Sequence, residues 1–160
     1  MKRLLIALIS TMLVMGSLQA QTSKSPGGKK SVSVDFTITM RELAQAAKTQ
    51  NDRDIPTDKA LILDGDIGTV TIHEDTDASF VVELELLNGI WVGEEQVELY
   101  RTYVICEGTR FRSLFSVQSP SRLKSGQTII VLASYEGLGI DYDGKTPVTV
   151  VKAIDIRRLF

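Results

Sequence analysis

Nucleophilic catalysis needs a base within hydrogen-bond reach of the nucleophile, and this sequence offers one histidine and one cysteine. His73 falls at the end of an alternating apolar stretch, beside Glu74 and Asp75. Cys106 follows Val104 and Ile105, a setting in which a thiol serves as a small apolar side chain. Nothing in their spacing supports a dyad. No G-x-S-x-G elbow, H-E-x-x-H helix or P-loop is present, so the chain reads as a non-enzyme without a cofactor. A lone cysteine also excludes an intrachain disulfide. Metal chemistry has two candidates. His73, Glu74, Asp75 and Asp77 cluster after Asp64 and Asp66, and hard cations want several oxygens around one point. Aspartates in a turn, however, commonly cap the backbone. Asp141-Tyr142-Asp143-Gly144 imitates the middle of an EF-hand loop. With Gly144 at the glycine position, Gly139 and Val150 would stand where carboxylate ligands are required. That segment is a hairpin turn, and no metal site is expected.

Residues suited to binding are better represented. Tyr100, Arg101, Tyr103, Arg110, Phe111 and Arg112 mix aromatic platforms with cations around one strand, a combination that serves single-stranded nucleic acid or another polyanion. Glu83 and Glu85 on the neighbouring strand, with Glu98, would repel phosphates. Ile90-Trp91-Val92-Gly93 forms an apolar tip flanked by charge, the kind of aromatic anchor that protein interfaces use. The binding set is therefore Trp91, Tyr100, Arg101, Tyr103, Arg110 and Arg112, with a protein partner preferred over nucleic acid.

The elements that must position these residues are mostly strands. Thr39-Met40-Arg41-Glu42 has the spacing of a capping box. Leu43, Ala44, Ala46 and Ala47 extend it into one short helix, with Met40, Leu43 and Ala47 facing the core and Asn51 to Pro56 stopping it. From Lys59 the period becomes two. Leu61, Leu63, Ile67, Val70 and Ile72 change phase beside Gly68, where a bulge or sharp coil is expected. Phe80, Val82, Leu84 and Leu86 share one face of the second strand. Asn88-Gly89 offers a turn, and Ile90 to Glu95 a loop or short strand. Val97 to Cys106, Gln127 to Tyr135 and Val148 to Ile156 supply the remaining strands, with Asp143-Gly144 as a hairpin turn before the last. A short helical turn is expected between Phe111 and Lys124, entered at Ser119-Pro120. These signals predict an all-β fold: a five-stranded Greek-key barrel preceded by one short α-helix, with a plain β-sandwich as the alternative.

The first residues point to export. Lys2 and Arg3 precede the apolar run Leu4 to Met15, and Gly16, Ser17 and Ala20 approach a cleavage site before Gln21. An uncleaved N-terminal anchor is the alternative, but the run is short for a span. Of 18 basic and 20 acidic residues, Lys2 and Arg3 are the basic ones in this segment, so its removal leaves 16 against 20. A net negative chain is poorly suited to sequence-independent phosphate binding and is not held to anionic lipid. Residues 21–35, rich in Ser, Gly and Lys and carrying Lys24, Lys29 and Lys30, read as a flexible arm. The expected organisation is a signal peptide (1–20), the arm (21–35) and one barrel domain (36–160).

The stretch Leu63-Asp64-Gly65-Asp66-Ile67-Gly68-Thr69-Val70, the helix Glu42-Leu43-Ala44 before it, the segment Leu123 to Val131 and the closing Val151-Lys152-Ala153-Ile154-Asp155-Ile156 together resemble an OB fold. The likeness is to exported bacterial OB domains grouped with anticodon-binding-like domains, over about Arg41 to Ile156. The resemblance implies a fold more firmly than a function. The resulting expectation is a periplasmic, non-enzymatic binding or adaptor module that contacts another envelope protein and is not inserted in the membrane. The alternative is single-stranded nucleic-acid or polyanion binding by the OB face.

Overall fold

The computed structural model describes residues 32–159. The expected signal peptide and most of the arm, including Lys24, Lys29 and Lys30, lie outside them. Where the arm was expected to end, Val34–Asp35 instead forms a short strand, β1, parallel to Ala60 and Leu61.

Helix α1 (Met40–Thr49) opens on the expected capping box. The Thr39 hydroxyl accepts from the Arg41 N–H (3.2 Å), and the Glu42 carboxylate accepts from the Thr39 N–H (3.0 Å), so free donors of the first turn are satisfied. The helix ends on Gln50 in the left-handed conformation (φ 51°) and buries Met40, Leu43, Ala46 and Ala47.

The barrel strands follow: β2 (Ala60–Asp75), β3 (Phe80–Val92), β4 (Gln96–Glu107), β5 (Thr128–Ile140) and β6 (Pro147–Arg158). Their order is β2-β3-β4-β6-β5, and pairing of β2 with β5 closes the circle. β4 and β6 run parallel; the other barrel pairs are antiparallel. This is the Greek-key connectivity of an OB barrel. The closing β2–β5 ladder excludes the open sandwich.

Closure depends on β2 serving two neighbours. Its first half pairs with β5 from Ala60↔Ser134 to Asp66↔Thr128, and its second half pairs with β3. The changeover falls at the register shift between Ile67 and Val70, where the sequence places Gly68. Gly65 sits in the coil against the backbone of β3. A Cβ there would collide with the Leu87 carbonyl oxygen and lie 3.0 Å from its carbon.

The barrel interior is apolar. Leu61, Leu63, Phe80, Val82, Leu84, Leu86, Val104 and Val131 are almost fully buried, each contributing about 1.5–3 kcal/mol relative to exposure. One polar pair interrupts it: the buried Thr102 and Thr149 hydroxyls lie 2.8 Å apart, and Thr102 also donates to the Thr149 carbonyl at 2.9 Å. One end of the barrel is covered by α1 against β4 and β6. The other is plugged by the β4–β5 connection, whose Phe115 ring stacks on Phe80 with centroids 6.0 Å apart.

Two local expectations are corrected. Asn88-Gly89 is not a turn: pairing continues through Trp91↔Val97 to Val92↔Gln96, giving a β3–β4 ribbon that turns at Gly93 (φ 75°). The helical turn comes earlier than Ser119-Pro120, as a 3₁₀ turn at Thr109–Phe111 running into α2 (Arg112–Phe115). Among the described residues no helix is long and apolar enough to cross a membrane.

Candidate functional site

Alternation along β3 and β4 turns Glu83, Glu85 and Leu87 outward beside Arg101, Tyr103 and Ile105. On an OB barrel this is the conventional binding face. Here the β5–β6 turn folds across it. Asp141, only 9% exposed, accepts from the Tyr103 hydroxyl at 2.6 Å, from the Tyr142 N–H at 2.7 Å, and from the Arg101 guanidinium. The Tyr142 ring packs edge-on against Tyr103 with centroids 5.8 Å apart, and its hydroxyl donates to Glu83 at 2.6 Å. Glu83 also lies 3.5 Å from the His73 imidazole. Arg101 Nε is 2.8 Å from Glu85, without hydrogen-bond alignment, so that contact is one of charge.

The electrostatics follow from these contacts. The Tyr103 hydroxyl, with the Tyr142 N–H and Arg101, holds the Asp141 carboxyl below the usual carboxylate range. Burial, then the bond to Asp141, pushes the Tyr103 phenol well up, so it stays a neutral donor. Arg101 is thereby tied to two carboxylates. A face of Glu83, Glu85 and Asp141 with a covered tyrosine has little to offer a phosphodiester chain.

The six residues singled out in the sequence do not share a surface. Tyr100 points into the barrel, and its hydroxyl donates to Glu98 and accepts from Arg41 at 3.0 Å. Tyr103 and Arg101 lie under the β5–β6 turn. Trp91, 70% exposed, stands on the ribbon beyond the barrel with Val97 and Leu99 on the same side. Arg110 and Arg112 are at the opposite end. Arg110 lies over the Phe111 ring (4.6 Å) and reaches the Ala153 carbonyl at 3.4 Å. Arg112 binds Asp75 at 2.9 Å and the carbonyls of Thr76 and Ser79, pinning the β2–β3 turn.

Cys106 and His73 are also apart, the first turned into the core from β4 and the second exposed on β2. Burial pushes the Cys106 thiol up to about 12, leaving it protonated and unreactive near neutrality. Among the described residues, no group of three or more His, Cys, Asp and Glu side chains is arranged to hold a metal ion. Asp143 caps its turn by accepting from the Lys145 and Thr146 N–H groups at 2.7 and 2.8 Å.

Sequence reading missed Arg122 and Lys124, in the aperiodic β4–β5 connection. With Arg110 and Arg158 they sit at the barrel end plugged by Phe115, and none of the four has a carboxylate partner among the described residues. At that end Asp75, Glu107 and Asp155 are paired with Arg112, Lys152 and Arg157. Glu74 and Asp77 stay unpaired there.

No family model and no curated protein matches the chain. Solved structures do. A Plasmodium falciparum SSB in complex with single-stranded DNA is 15% identical, with a TM-score of 0.47 over 63% of this chain and 94% of that one. A mitochondrial single-stranded DNA-binding protein of S. cerevisiae is 14% identical, with a TM-score of 0.42 over 63% and 94%. A small single-stranded DNA-binding protein of Streptomyces coelicolor is 12% identical, with a TM-score of 0.44 over 63% and 92%. The class of fold, an OB barrel, is defined by the strand order and the β2–β5 closure.

The expectation of an exported envelope adaptor with an envelope-protein partner is corrected here. Its six residues are divided among the β3–β4 ribbon (Trp91), the barrel interior (Tyr100), the outer face under the β5–β6 turn (Arg101 and Tyr103) and the plugged end (Arg110 and Arg112). The three similar structures named above are described as single-stranded DNA-binding proteins, one of them mitochondrial. At these identities and TM-scores the likeness concerns the barrel alone.

Proposed function

We propose that this chain is a non-enzymatic OB module that binds single-stranded nucleic acid. The observation that carries this reading is the division of charge on the barrel. Carboxylates crowd the outer face of β3 and β4, where they consume Arg101, while Arg110, Arg122, Lys124 and Arg158 stand at the plugged end without carboxylate partners among the described residues. OB barrels are platforms for oligonucleotides, and unpaired cations beside a concave surface are what a phosphate backbone recruits. Of the residues first considered, Arg110 belongs to this end and remains in the reading. Kinship with the anticodon-binding-like OB domains is supported by the capped helix before β2 and the Leu63–Val70 coil.

The test is fluorescence anisotropy of a labelled oligo-dT of about 15 nucleotides, near the upper site size of one OB domain, titrated with the full chain across a salt series. Affinity that falls steeply with salt is expected, with duplex DNA competing poorly. No affinity at the lowest salt would overturn the reading.

A further inference from the structure

Beyond the β2–β5 ladder the barrel wall opens. The last bonds across it are Ile67 N–H to the Gln127 carbonyl (2.9 Å) and Gly126 N–H to the Ile67 carbonyl (2.8 Å). From Gly68 onward β2 keeps β3 on one side and has no ladder on the other. The β4–β5 connection crosses opposite this free edge at a distance, leaving a cleft of about 590 Å³.

The lining has three parts. Buried Phe115 and Leu123 contribute apolar surface, and Val70 with half-exposed Ile72 forms an apolar wall. From Gly68 to Ile72 the side of β2 turned away from β3 carries no ladder among the described residues, so its outward backbone groups face the cleft. Arg122 and Lys124 stand on the facing connection beside Ser125. The lining itself has no carboxylate residue, unlike the Glu98-lined groove between α1 and the ribbon, and the nearest, Glu85 of the β3–β4 face, accepts from the Thr69 hydroxyl at 3.1 Å. The turn bearing Lys124 is held by its own N–H on Gln127 Oε1 (2.9 Å) and by Gln127 N–H on its carbonyl (3.2 Å). Its ammonium group is therefore carried on a fixed turn without being consumed in fixing it.

We infer that this cleft is the phosphate-binding site of the chain and takes one or two phosphates of a single-stranded nucleic acid, with Arg122 and Lys124 as the neutralising cations. The inference rests on the proposed function and moves its site from the conventional OB face to the opposite end of β2. Backbone N–H groups of the free edge and the Ser125 hydroxyl supply donors for phosphate oxygens. Val70 and Ile72 offer apolar surface against which a base can lie. Two neutralised phosphates on a single strand correspond to a slope of log K against log salt of about −1.4.

The experiment compares wild type, Arg122→Gln/Lys124→Gln and Arg122→Glu/Lys124→Glu with Lys145→Gln, a charge change in the β5–β6 turn, in the same oligo-dT salt series. Circular dichroism checks that all four are folded. The expected result is a loss of about tenfold or more in affinity for the Gln pair and a salt slope smaller in magnitude by about 0.7–1.4. The Glu pair should be weaker still, and Lys145→Gln unchanged. Wild-type binding that both double variants retain would overturn the cleft assignment and leave the proposed function standing. Absence of wild-type binding at low salt would overturn both. Binding of heparin through Arg122 and Lys124 without binding of oligo-dT would overturn the phosphodiester assignment.

Discussion

Asp141 shows how a single side chain decides what a surface can do. Sequence alone places it in a hairpin turn, and the turn is there. Its three partners, however, come from Tyr103, Arg101 and its own neighbour Tyr142, and two of them lie about forty residues away in the chain. No local pattern announces that a turn will fold back over a sheet and cancel its cation. Asp35 carries the clearest titration at this scale. Bonds from the Thr37 hydroxyl (2.6 Å) and N–H (2.9 Å), and then from Lys59, lower its carboxyl to about 2. The folded value lies below the unfolded value near 4, so the stabilisation is present in full above pH ~4 and disappears as pH falls through about 2. Asp35→Asn should therefore be less stable than wild type at pH 7, with the difference closing between pH ~4 and ~2. Urea midpoints at several pH values measure this, and a difference independent of pH would refute it.

At the scale of elements, β2 is the part on which the barrel depends, and most of it was legible. The phase change among Leu61, Leu63, Ile67 and Val70 marked the coil, because alternation is imposed by the pleat and a break in it needs a bulge. The alternation of Phe80 to Leu86 and the capping box of α1 were equally direct, each set by neighbours in sequence. Asn88-Gly89 misled for the converse reason: cross-strand pairing with Tyr100 and Leu99 overrode local turn preference. The Arg122–Lys124 segment has no periodicity, and the absence of ion-pair partners is a tertiary fact. Gly65→Ala tests the coil. The added methyl meets the Leu87 backbone, which can move only by opening the β2–β3 ladder. A destabilisation of about 1–3 kcal/mol is expected, read as a lower urea midpoint with unchanged m. A loss below about 0.5 kcal/mol, the range of ordinary surface substitutions, would show that β2 is not tightly coiled at this point.

For the whole molecule, closure makes every barrel strand depend on two others, so the described domain is expected to unfold as one unit. The ribbon is the exception, because its apolar residues gain little from the fold. Trp91, the sole tryptophan of the chain, sits there at 70% exposure. The residue ordinarily used as an optical reporter is thus already in water while the barrel is intact. Its emission should be long-wavelength and accessible to iodide in the native state, and should shift little when urea dissolves the sheet. Far-ultraviolet dichroism of the strands and the near-ultraviolet bands of Tyr100, Tyr103 and Tyr135 would report the transition that tryptophan fluorescence passes over.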